Sequence, residues 1–156
     1  MWDDVLQTAP HNERAYENCG LACAEREEWL EAAVMFEMVT QRQPEHVVAH
    51  QNLGLALVRM GNVEAAVGPL RKTLDLNPGS RTAIKLLAWI MATAADADLR
   101  NGHEAVTMME SLIGQGDGSD LQAFDILAVS EARIAFSPIA LNPMPGGIII
   151  PFCDPQ

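Results

Sequence analysis

Two pairs of side chains have a spacing that chemistry can use. Cys19 and Cys23 lie four residues apart, as do His46 and His50. On a helix that interval stacks two side chains one turn apart, close enough to share a metal ion such as zinc. Other reactive patterns are missing. No Ser or Cys stands in a recognisable motif with a base, and the glycine pairs follow no strand that would make them phosphate loops. Catalysis by this chain is therefore not expected. The total of three cysteines is odd. A pair on adjacent turns of one helix suits buried thiols better than a disulfide, which points to a reducing cytoplasm.

The elements that must position these groups follow from composition. A chain of 156 residues is one ordinary domain, long enough to bury a real core. Apolar residues make up 49% but aromatics only 5%, so Ala, Leu, Val and Met must fill that core. Such a mixture favours close-packed helices over a β-sandwich. The net charge of −11 argues against nucleic acid and against anionic membrane surfaces. The acid is uneven: residues 1–45 carry ten Asp/Glu against three Arg, whereas 46–118 carry seven against six Lys/Arg. A basic partner would be drawn to the N-terminal third, although a solvated face that keeps the protein soluble is the simpler account. The opening MWDDVLQTAP has neither the basic start nor the apolar run of a leader, and no stretch approaches the roughly eighteen apolar residues of a spanning helix.

A period organises the chain. AYENCGLACAEREEWLEAAVMFEMVTQRQP, residues 15–44, overlays AHQNLGLALVRMGNVEAAVGPLRKTLDLNP, residues 49–78, without a gap. Gly20 falls on Gly54, Ala32 on Ala66, Phe36 on Leu70 and Pro44 on Pro78, each 34 residues on. This pattern resembles the tetratricopeptide repeat, a pair of antiparallel helices of that period. The resemblance implies an all-α, right-handed solenoid in which glycine lets the two helices of a pair approach closely. The propensity that glycine sacrifices, about 1 kcal/mol, is offset by packing that a larger residue would forbid. Gly61-Asn62 ends a first helix, where a left-handed backbone costs little, and Pro44 and Pro78 end second helices.

The implied organisation is a repeat domain over 1–136, with repeats at 12–45, 46–79 and 80–118. The third departs: Ala88 takes the glycine position, about five residues enter at ADADLRN, Ala105 and Met109 follow in the second helix, and GQGDG (114–118) replaces the closing proline. Residues 2–10, where Trp2, Val5 and Pro10 match Phe36, Val39 and Pro44, fit the end of an earlier second helix. Residues 120–136 fit a first helix with no second. Incomplete end repeats leave apolar faces uncovered, so self-association through them is a further possibility. The tail 137–156 holds five of the nine prolines and Gly146-Gly147, which exclude a helix. It is expected to fold back over the last helix, with a shifted reading frame as the competing account.

In tetratricopeptide proteins the first helices line a groove that holds a peptide or partner segment. Carried over, the groove residues are Arg14, Glu17, Leu21 and Glu25, then Gln51, Leu55, Val58 and Arg59, then Thr82, Lys85, Trp89 and Ala92, with Gln122, Asp125 and Val129 beyond. Leu21, Leu55, Val58, Trp89 and Val129 would form an apolar floor beside Arg59 and Lys85; alternatively Trp89 packs into the core or under the tail. Repeats that clamp acidic chaperone C-termini present Lys, Asn and Arg where this chain has Glu17, Leu21, Asn52, Thr82 and Leu86, and Asn52 alone fits. The repeat also places Cys19, Cys23 and His50 at core positions, and His46 at a helix start, so neither a metal nor another cofactor is expected. The expected function is non-catalytic binding of a protein or peptide, with no nucleic acid and no membrane insertion. The alternative is the regulatory or substrate-presenting part of a larger enzyme, since WDDVLQTAPHNERAYENCG resembles the repeat segment of some membrane protein glycosyltransferases. That reading would put the chain outside the cytoplasm.

Overall fold

The computed structural model describes residues 13–94, 96, 99–114 and 121–135, and every regular element among them is an α-helix. In order these are α1 (Glu13–Glu25), α2 (Trp29–Arg42), α3 (Val47–Arg59), α4 (Val63–Leu76), α5 (Arg81–Thr93), α6 (Gly102–Gly114) and α7 (Leu121–Ala135). The chain divides into two compact units, Met1–Ala83 and Ile84–Gln156, with the boundary inside α5.

In the first unit α1 packs on α2, α2 on α3 and α3 on α4. The bounds of α3 and α4 lie 34 positions beyond those of α1 and α2 (13 to 47, 25 to 59, 29 to 63, 42 to 76). The turns recur as well. After α1 the Glu28 N–H donates to Cys23 O at 2.9 Å and the Glu27 N–H to Ala24 O at 3.1 Å. After α3 the Asn62 N–H donates to Leu57 O and the Gly61 N–H to Val58 O, both at 2.9 Å. This double closure needs one residue in the left-handed region. Gly61 supplies it at φ 79°, but in the first turn the residue is Glu27 at φ 60°, which costs a side-chain-bearing residue about 1 kcal/mol.

The close approach that the glycines permit is direct. A Cβ on Gly20 would stand 2.8 Å from Phe36 Cε1, and one on Gly54 2.6 Å from Leu70 Cγ, well inside van der Waals contact. Phe36 and Leu70 are both fully buried. Around Phe36 the core gathers Cys23, Ala32, Ala33, Leu53 and Ala56, so that one cluster joins α1, α2 and α3. A second joins Tyr16, Val39 and Ala49.

The prolines are not all helix ends. Pro69 lies inside α4, where it removes one backbone donor and its ring crowds the preceding turn. Gly68 precedes it and has open space where a Cβ would point. Its role is therefore not close packing: a residue without Cβ relieves the clash that proline imposes on its predecessor.

In the second unit residues Leu86–Ala92 of α5 are all buried, as a helix apolar on every side must be. Helix α6 starts 39 residues after α4, so five extra residues enter before it. One of the two closing bonds is kept: the Asn101 N–H donates to Met91 O at 3.2 Å, the counterpart of Asn62 to Leu57, while the Arg100 N–H donates to Asp96 O at 3.1 Å. Asn101 also caps α6: its Oδ1 accepts from the Glu104 N–H at 3.2 Å, while its Nδ2 donates to Glu104 Oε2 at 3.0 Å. Ala105, Met109 and Leu112 are buried, and α6 packs on α7. The readings of residues 2–10, of GQGDG beyond Gly114 and of the tail lie outside the described residues.

Candidate functional site

The four reactive side chains singled out by spacing do not converge on an ion. His46 is the N-cap of α3, its Nδ1 accepting from the Ala49 N–H at 3.1 Å. The tautomer that accepts at Nδ1 carries its hydrogen on Nε2, which stands 3.7 Å from Glu17 Oε2. His50 turns Nε2 to Pro44 O at 3.0 Å, and its Nδ1 is buried without a partner. One nitrogen of each ring is thus committed to backbone, and the described residues hold no group of three or more metal-ligating side chains. Cys19 and Cys23 are buried thiols. Burial, then the charges of Glu28 and Glu31, push the Cys23 thiol above its ordinary value, so the thiolate that nucleophilic chemistry requires is disfavoured.

The surface that remains belongs to α1 and α3. On α1, Arg14 and Glu25 are exposed, Glu17 is half-buried beside His46, and Leu21 is 42% exposed, an apolar residue facing solvent. Leu55 occupies the same position one repeat later and is half-buried, while Gln51 accepts from Ser80 Oγ at 2.8 Å. Arg59 is exposed, with its guanidinium 5.6 Å from the centre of the Trp29 ring. That contact holds Arg59 toward the start of α2 and desolvates one face of the indole. A second cation of this kind, Arg42, lies 4.6 Å over Tyr16. Neither pairing has a sequence signature, because each joins residues from different helices.

Three residues carried over to the groove floor, Val58, Trp89 and Val129, do not reach the surface. Val58 is 1% exposed: α3 packs against α2 on one side and α4 on the other, which buries a wider arc than a single stripe. Trp89 is 8% exposed within the all-apolar run of α5, as the alternative reading of that residue has it. Ala92 and Val129 are buried too. In the second unit Lys85 is half-buried, Thr82 of the first is half-buried, and Asp125 on α7 is exposed. The side chain of Gln122 lies outside those described.

Chemically, the α1–α3 surface offers apolar contact at Leu21 and Leu55 flanked by the charges of Arg14, Glu25 and Arg59. No helix among the described residues is long and apolar enough to cross a membrane. No family model matches the chain.

Proposed function

We propose that this chain is a protein-interaction module of tetratricopeptide type, without catalytic activity of its own, that binds an extended or helical segment of a partner protein on the face formed by α1 and α3. The observation that carries the reading is the recurrence, 34 residues apart, of one close-packed hairpin with the same glycine contact and the same turn closure. Such recurrence presents equivalent positions side by side, and at one of them the chain places Leu21 and Leu55. Leu21 is 42% exposed and Leu55 half-buried, so both can meet a partner from solvent. Arg14, Glu25 and Arg59 supply polar flanks that fix orientation and register without needing to contribute most of the affinity.

Selection from a displayed random-peptide library tests this, with the parent chain run beside the Leu21→Asp/Leu55→Asp double variant. The parent is expected to enrich a motif containing at least one apolar anchor, and the variant to lose it. Equal enrichment by both chains, or none by either, overturns the reading.

A further inference from the structure

A second surface, on the outer face of α2, asks for its own explanation. Leu30 is 59% exposed and Val34 45%, and they lie one turn apart on one side of the helix. Glu37 and Gln41, both exposed, continue the same stripe at seven and eleven residues beyond Leu30. The repeat supplies an internal control. The positions equivalent to Leu30 and Val34 are Glu64 and Gly68 in α4, and His103 and Thr107 in α6, all of them exposed. The hairpin therefore folds without an apolar side chain there, and the apolar pair serves something other than the scaffold.

Its surroundings specify what would cover it. Glu31 stands beside Val34 and Glu37 lies one turn on, with Glu27 in the turn before α2. Among the described residues no cation forms an ion pair with any of these three. The nearby Arg26 is engaged with Glu28 at 2.7 Å, and Arg42 lies over Tyr16. The negative field is felt inside as well, since Glu28 and Glu31 both raise the Cys23 thiol. A second copy of this chain would bring the same acidic face against itself, and an anionic membrane would be repelled.

We propose that the outer face of α2 docks a basic amphipathic helix of a partner protein. Two apolar residues one turn apart seat on Leu30 and Val34, and Lys or Arg side chains on the same helix reach Glu31 and Glu37. Docking of this kind uses the spacing common to helix-on-helix recognition, with charge setting the rate of encounter and the choice of partner. This surface is separate from the α1–α3 face and does not depend on it.

The test uses an amphipathic peptide of Leu and Lys, about 18 residues long, and its counterpart with Glu in place of every Lys. Binding to the full chain is measured by fluorescence anisotropy at low salt and at about 0.5 M salt. The Lys peptide is expected to bind and the Glu peptide to fail. Leu30→Ser/Val34→Ser should weaken binding at least about tenfold (about 1.4 kcal/mol). Glu31→Gln/Glu37→Gln should weaken it less and reduce its salt dependence. All four positions are exposed, so both variants are expected to keep the parent's circular dichroism. Leu21→Asp should leave binding unchanged. The proposal is overturned if both peptides bind equally or neither binds, if neither double variant changes affinity, or if the chain dimerises through Leu30 and Val34 in sedimentation. Loss of binding in Leu21→Asp alone would transfer the peptide to the α1–α3 face and remove it from α2.

Discussion

Gly54 is where the fold tolerates least. A methyl group there gains about 1 kcal/mol of helix propensity but must enter space held by Leu70, whose Cγ stands 2.6 Å from the ideal Cβ position. Overpacking of that kind costs about 1–3 kcal/mol, and the branch point of a fully buried leucine cannot swing aside as a chain end can. We expect Gly54→Ala to destabilise by up to about 2 kcal/mol, read as a lower urea midpoint at unchanged slope. The equivalent positions of the third repeat, Ala88 and Met109, indicate the remedy: Leu70→Met, with its unbranched and adaptable side chain, should recover about half the loss. If Gly54→Ala proves neutral, the close approach is not what holds the hairpin together. Cys23 yields a second expectation at this scale. Its thiol is raised above its ordinary 9.0 by burial first and by Glu28 and Glu31 next. The folded state therefore holds the proton more tightly than the unfolded chain. This contribution is fully present below the unfolded value and is lost as pH rises through the folded one. Urea midpoints from pH 8 upward should fall more steeply for the parent than for Cys23→Ala, and identical slopes would refute the assignment. Of these two residues, glycine was legible from its recurrence. The thiol's environment was not, because Glu28 and Glu31 reach it only through the folded turn.

At the scale of elements, the ends of α2 and α4 were legible because Pro44 and Pro78 recur 34 residues apart just beyond them. The five-residue delay before α6 was legible too, since Ala105 and Met109 mark where the pattern resumes. Two features were not. Proline reads in sequence as a terminator, and Pro69 is one at no boundary. Packing of α4 against α3 outweighs the lost hydrogen bond, and Gly68 removes the clash that would otherwise end the helix. Pro69→Ala should restore the missing donor and stabilise by up to about 3 kcal/mol. Calorimetry checks it, and a lower Tm would mean that the proline is required for the packing of α4. The other unreadable feature is the arc that each helix buries. Val58 lies on the side of α3 that a one-stripe reading leaves open, and contact with two neighbouring helices closes it. The same accounting explains why Trp89, in an apolar run, turns inward. Leu21, by contrast, is exposed on α1.

The whole molecule combines a positional repeat with unequal surfaces. The recurrence in the first unit sets the scaffold and repeats Leu21 at Leu55, whereas Leu30 and Val34 depart from it, with Glu64 and Gly68 at the equivalent positions. The acid excess of the first third, plain in the composition, gains a location around α2 once the helices are placed. The two pairs of residues four apart serve as a helix cap, a backbone contact and a buried thiol pair. The central claim concerns the α1–α3 surface. The most direct measurement is a map of backbone amide shifts as a peptide enriched by the selection is titrated into the isotopically labelled chain. The account predicts perturbations concentrated at Leu21, Glu25, Leu55 and Arg59, with α6 and α7 unmoved. Perturbations confined to residues outside α1 and α3 would contradict it.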